Sequence, residues 1–138
     1  MKTIFLIGGP HVGKTTTLQM LCVFLLFRGA IVVTHRRPVH GSGRDFYLEI
    51  EIIINGQLVK VAVCTYGDIP KYIAQQMQMA QNNNCDVFIG ACHSTHNKRI
   101  FQAICPNNIV YVDKRVSANT NNYAYYNVAD AIDIIRNI

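Results

Sequence analysis

Several features that would settle the chain's class at once are missing, and each absence removes an option. None of the five cysteines forms a Cys-x-x-Cys pair, which takes away the commonest paired-thiol metal and redox signature. The run Met20 to Phe27 is apolar for only eight residues, far below the roughly 20 that cross a bilayer, so no membrane partner is expected. Charged residues make up 15% of the chain and apolar residues 50%, a balance that excludes disorder and predicts a packed core. No internal repeat and no linker interrupt the 138 residues, so one domain spanning 1–138 is the natural reading. A basic stretch interleaved with aromatics is also absent, and nucleic acid is not the expected partner.

The start of the chain invites two further exclusions. Met1-Lys2-Thr3-Ile4-Phe5-Leu6-Ile7 faintly resembles a secretion signal, but the apolar run stops in Gly-Gly-Pro-His without a cleavage-like site. An odd number of cysteines scattered through apolar runs points to buried thiols in a reducing compartment, so a cytoplasmic location is expected. Cys92, His93 and His96 could be drawn together as zinc ligands, but no fourth ligand is apparent nearby. A polar loop after a buried strand is the simpler reading.

What is present is sharper. Gly8-Gly9-Pro10-His11-Val12-Gly13-Lys14-Thr15 fits G-x-x-x-x-G-K-[ST], the pattern of a loop whose backbone N–H groups wrap nucleotide phosphates. At average glycine usage the pattern arises by chance on the order of once in a few hundred chains this long. Thr3 to Ile7 reads as a buried strand before it, and Thr16 to Arg28 as a helix after it, ended by Gly29 at C′. Gly8 and Gly13 allow a tight turn and a close backbone approach. The amides from Gly9 to Thr15 would point inward, except that Pro10 has none. The helix start adds the positive end of its dipole. Lys14 would reach the β- and γ-phosphates, and the Thr15 hydroxyl would ligate Mg²⁺.

On these residues the chain resembles a P-loop NTPase. Gly8-Gly9-Pro10 with Gly13-Lys14 and Thr16 is similar to the loop of nucleoside monophosphate kinases such as adenylate kinase, which commonly has glycine where this chain has His11. The specific resemblance covers about the first thirty residues. It implies an α/β fold of three layers, α/β/α, with a mostly parallel sheet, and a site for ATP or another NTP with Mg²⁺.

Further along, Ala30 to Thr34 reads as a second strand, and His35 to Asp45 as a basic loop. Asn55-Gly56 between the alternating runs Tyr47–Ile54 and Gln57–Thr65 predicts a hairpin through a type I′ turn. The register then pairs Ile54 with Gln57, Ile52 with Val59, Ile50 with Val61 and Leu48 with Val63, and sets Glu51 against Lys60 on the other face. This one antiparallel hairpin is grafted onto an otherwise parallel sheet. A helix over about 69–81, a strand over 87–91, a short helix over about 98–104, a strand over 109–112 and a helical stripe after Asn127 complete the pattern. The first helix is apolar all round, and it predicts burial on most sides, against the sheet and either another helix or a second subunit in a homodimer.

A Mg²⁺-phosphate site needs an acid at a strand's carboxyl end. Asp68 is the candidate, on the expectation that it follows the strand neighbouring the first one; it would equally serve as the N-cap of the next helix. Asp113 sits at another strand end, nearer a base or ribose or simply in a turn. Arg36, Arg37, Arg44, Lys98, Arg99, Lys114 and Arg115 fall in loops and helix starts, a distribution that suits a polyanionic ligand. Lys14, Asp68 and Arg99 are the expected catalytic set; His93 and His96 share that edge and could bind substrate or act in proton transfer, but solvent-exposed loop residues are the first expectation for both. Cys64 stands where a GTPase-like D-x-x-G would have its aspartate, and Asn97-Lys98-Arg99-Ile100 lacks the acid of N-K-x-D, so ATP is favoured over GTP. The leading expectation is Mg²⁺-dependent phosphoryl transfer to a small acceptor. A nucleotide-dependent switch or binding module with slow turnover and GTPase-like topology is the alternative, and a phosphate-binding partner-docking subunit a third.

Overall fold

The computed structural model describes residues 1–37 and 43–138. Six strands, β1 (Lys2–Ile7), β2 (Ile31–Arg36), β3 (Tyr47–Ile54), β4 (Gln57–Cys64), β5 (Val87–Cys92) and β6 (Ile109–Asp113), form one mixed sheet in the order β2-β3-β4-β5-β1-β6. β4, β5, β1 and β6 run parallel to one another, whereas β3 is antiparallel to both β2 and β4. The antiparallel portion is therefore two pairs wide, one more than the Asn-Gly hairpin alone. Among the described residues four α-helices connect and cover the strands: α1 (Lys14–Phe27), α2 (Pro70–Asn82), α3 (Arg99–Ile104) and α4 (Tyr123–Ile135).

Two hydrophobic cores lie on opposite faces of the sheet. α1 and α4 cover the face of Ile4, Leu6, Val61, Val63 and Ile89. α2 and α3 cover the face of Phe5, Ala62, Cys64 and Phe88. The split follows from period-2 alternation, which sends successive side chains of one strand to different faces. Both faces being covered explains why β1 and β5 are apolar and buried along almost their whole length.

Local signals explain the element ends. Asn55 and Gly56 have φ values of 51° and 78°, as a type I′ turn requires, and the hairpin register is the expected one at every pair. α1 closes with Gly29 at φ +94°, where the Ala30 N–H donates to Leu25 C=O and the Gly29 N–H to Leu26 C=O, the two bonds of a Schellman motif. Asn84, at φ 57°, ends α2 in the same way through Cys85 N–H to Ala80 C=O.

Three expectations are corrected. The strands beside β1 are β5 and β6, so β4, which leads to Asp68, is one strand further away. α1 buries Leu18, Leu21, Cys22 and Leu25 against the sheet and α4, but leaves Val23 at 47%, Leu26 at 42% and Phe27 at 88% exposure. Its apolar run Met20–Phe27 thus hides a one-sided packing role. Finally, Arg36 lies within β2 and not in a loop.

Candidate functional site

The Gly8–Thr15 segment leaves the carboxyl end of β1 and turns into α1. Its path needs two unusual backbone conformations, at His11 with φ 56° and at Gly13 with φ 89°. Gly8 is held by crowding: a Cβ there would meet Val12 Cγ2 at 2.9 Å and Lys114 Cβ at 3.1 Å. Gly9 has open space around it. Gly13 forms the N-cap of α1, so no side chain caps the helix, and its first turn carries no acidic residue. Amide donors at such a start lack intrahelical partners and take a ligand or water.

The loop rests on β6 and α4. The Lys114 N–H donates to Ile7 C=O at 2.7 Å. Lys114 Nζ, buried, sits 2.9 Å from Asp130 Oδ2, and Asp130 also receives Arg115. The Thr17 hydroxyl lies 3.0 Å from Gly13 O and 3.1 Å from Asn127 Oδ1. Lys114 and Arg115, expected among the cations facing a polyanion, are instead spent on Asp130 and Asp133 of α4. A buried charge of either sign demands a partner, and the buried Lys114 ammonium and Asp130 carboxylate satisfy each other.

Beside the loop opens a cleft of about 660 Å³. One wall is the loop and first turn of α1, from Pro10 to Thr16. Thr65, Tyr66, Gly67 and Asp68, after β4, form another part of the lining, with Ala91 of β5, His93 just after it, and Arg44 and Asp45 before β3. The cleft lies where carboxyl ends of parallel strands meet helix starts, the usual place for ligands in such sheets. Lys14 folds over the loop, and its Nζ donates to Gly8 C=O at 2.9 Å and to Gly9 C=O. Burial pulls its ammonium below the ordinary lysine range, while Asp68 and then Cys92 act to raise it.

Asp68 is exposed, and the helix it precedes is capped by Ile69 without a side-chain bond, so its expected capping role is not used. Pro70 at the start of α2 and the β-region backbone of Ile69 set that boundary. The Asp68 carboxylate reaches His93 Nε2 at 3.5 Å. His96 Nδ1 accepts from the His93 backbone N–H at 3.3 Å, which leaves Nε2 as the protonated nitrogen, 3.1 Å from Asp68 O. Burial and the neighbouring His93 both lower the His96 pKa. These histidines were expected in solvent; both are half-buried and tied to Asp68. Gly67 makes this possible, because its backbone lies so close to β5 that a Cβ would stand 2.5 Å from Ala91 O.

The remaining candidates separate cleanly. Thr15, Thr16 and Asp68 line the cleft. Arg99 begins α3, exposed, its N–H donating to Asn97 Oδ1, and does not line it. Asp113 ends β6 exposed. Arg44 lines the cleft, whereas residues 38–42 of the His35–Asp45 loop lie outside the described residues. Cys64, in the position of a GTPase-like acid, is a buried thiol pushed up to about 12 by burial. The zinc reading gains nothing: among the described residues no group of three or more His, Cys, Asp or Glu could hold a metal.

Asp45 escaped the sequence reading. Its Oδ1 accepts from the Thr65 hydroxyl at 3.1 Å, placing a second carboxylate in the cleft wall. It sat at the end of a basic loop with no strand boundary to mark it. Comparisons with protein-family models, with curated proteins and with solved structures return no match.

Proposed function

We propose that the chain binds ATP with Mg²⁺ at the Gly8–Thr15 loop and transfers the terminal phosphoryl group to a small acceptor, as a nucleotide-kinase-like enzyme. The observation that supports this best is the convergence in one cleft of an uncapped helix start, Lys14 and Asp68. In this reading the loop amides and the α1 N-terminus receive the β-phosphate. Lys14 exchanges its bonds to the Gly8 and Gly9 carbonyls for phosphate oxygens, a charge-assisted and stronger pairing.

The residues present fit a divalent cation beside the phosphates: the Thr15 hydroxyl, with Asp68 and Asp45 as the carboxylates in the walls. The ion, when bound, neutralises charge that develops on the transferring group. Lys14 and Arg44 supply the protein's own positive charge toward the same oxygens. His93 Nε2, 3.5 Å from Asp68 Oδ1, donates toward that carboxylate and would orient it in the cleft.

A second reading, a nucleotide-dependent switch with slow turnover, draws support from Arg44 and Asp45. They join the β2–β3 connection to the same cleft as Lys14, so that connection would respond to the nucleotide. A screen of radiolabelled ATP against candidate acceptors, with hydrolysis alone as control, separates the two. Transfer to an acceptor at a rate well above hydrolysis supports the kinase. Hydrolysis alone, with different protease protection of residues 35–45 between ADP and a nonhydrolysable ATP analogue, supports the switch. Neither turnover nor a protection difference would leave both readings without support.

A further inference from the structure

The first 44 residues contain no aspartate or glutamate, although they hold Lys2, Lys14, Arg28, Arg36, Arg37 and Arg44. That segment's second strand, β2, lies at one edge of the sheet. β2 is the terminal strand of the sheet, paired only with β3 among the described residues, so one row of its backbone N–H and C=O groups has no strand partner. Edge strands of this kind are usually blunted by lysine, proline or a covering element. Ile31–Arg36 has neither lysine nor proline, and Ile31, Val32 and Val33 are 63%, 49% and 47% exposed.

A groove of about 440 Å³ runs alongside, between β2 and α1, with Cys22, Leu26, Val32, Phe46 and Leu48 in its walls. Strict alternation would send Val32 and His35 to opposite faces. The register shift between Val32 and Thr34 instead lets both line the groove. The edge is flanked by cations: Arg28 caps α1, and His35, Arg36 and Arg37 are exposed at the far end. Of the acids on the neighbouring strand, Glu49 is buried against Tyr47, Lys60 and Asn83, and Glu51 stands between Ile31 of β2 and Lys60 of β4 in the register, so it is the one acid near the Arg28 end of the edge.

We propose that this edge is a docking site for an extended acidic peptide that adds to the sheet as a seventh strand beside β2. Backbone hydrogen bonds give such additions their affinity, and pockets for alternate side chains give specificity. Here the apolar side chains of one face of the peptide enter the β2–α1 groove. Its acidic side chains meet Arg28 at one end and Arg36 and Arg37 at the other. A second copy of this chain fits less well, because it brings the same cations to the seam and no acid on its own β2. Gln19 lines both this groove and the phosphate-loop cleft, so the docking site adjoins the nucleotide site without depending on it.

A display selection with random ten-residue peptides tests this, using the full chain as bait. Enriched sequences should alternate apolar and acidic residues. Their synthetic versions should bind at least tenfold more weakly to Val32→Lys, several-fold more weakly to Arg37→Glu, and at least tenfold more weakly when N-methylated at alternate residues. Both positions are exposed, so these variants should keep the wild-type melting temperature; the ATP affinity of Val32→Lys should also stay unchanged, a separate readout from docking. No enrichment, enrichment of sequences without acids, or binding indifferent to N-methylation would overturn the proposal. So would concentration-dependent dimerisation abolished by Val32→Lys, or binding of the chain to phosphatidylserine vesicles abolished by it.

Discussion

Gly67→Ala is the substitution with the most exactly placed consequence. The added methyl carbon would stand 2.5 Å from Ala91 O, 2.7 Å from Ala91 C and 2.9 Å from Ala91 Cβ. Two of these are backbone atoms of β5, a strand paired on both sides, so the neighbour cannot swing aside as a side chain would. The segment after β4 must move instead, by several tenths of an ångström. Overpacking of this kind costs about 1–3 kcal/mol, and a clash with backbone belongs at the upper end. At about 2.1 cal/mol/K per residue over 138 residues, each kcal/mol is worth about 3 °C, so the melting temperature should fall by about 6–10 °C. Asp68 follows the displaced residue, so its approach to His93 loosens and ATP affinity should fall as well. Gly9→Ala is the control: it has open space and no positive φ, and it should melt within about 2 °C of wild type, a change under about 1 kcal/mol. Circular dichroism melts and calorimetric ATP titrations read both effects. A Gly67→Ala protein as stable as Gly9→Ala would refute the close-contact reasoning.

Other outcomes follow from the buried charges. Asp130→Ala strands the buried ammonium of Lys114 and should cost about 3–5 kcal/mol in urea denaturation, whereas Lys114→Met combined with Asp130→Leu should recover most of it; equal losses would show that the ion pair is not the cause. Glu49 is held below the ordinary carboxylate range: burial alone would raise it, but bonds from Asn83, Tyr47 and Lys60 outweigh that. Its folded-state pKa lies below its unfolded one, so its contribution is present above about pH 4.5 and is lost as pH falls through the folded value. Glu49→Gln should therefore lower stability by about 1.5–3 kcal/mol at pH 7 and flatten the acid side of the stability–pH curve. An unchanged acid limb would contradict this.

Local chemistry was legible in the sequence wherever one residue type answers to one backbone geometry. Asn55-Gly56 fixed the hairpin and its register, Gly29 fixed the end of α1, and the Gly8–Thr15 pattern placed the loop between a strand and a helix. Strand order was not legible. Nothing in the composition of β4 or β5 says which lies beside β1, because the carboxyl half of β4, Val61 to Cys64, is as apolar and buried as β5. Asp68 reaches the cleft across β5, through the close approach of Gly67 to Ala91, which no local pattern encodes. The pairing of Lys114 with Asp130 spans elements whose meeting depends on how α4 docks, so Lys114 read as one more surface cation. α1 misled for a related reason: with apolar residues on every side, periodicity has no phase from which to read its buried face.

The central claim, that the Gly8–Thr15 loop holds nucleotide phosphates through Lys14, is tested most directly by calorimetric titration of Mg·ATP into the wild-type chain and Lys14→Ala. Saturable one-to-one binding is expected, weakened at least tenfold, about 1.4 kcal/mol or more, by the substitution while the melting temperature of the free protein changes little. Equal ATP affinity in the two proteins, or no binding to either folded chain, would contradict it.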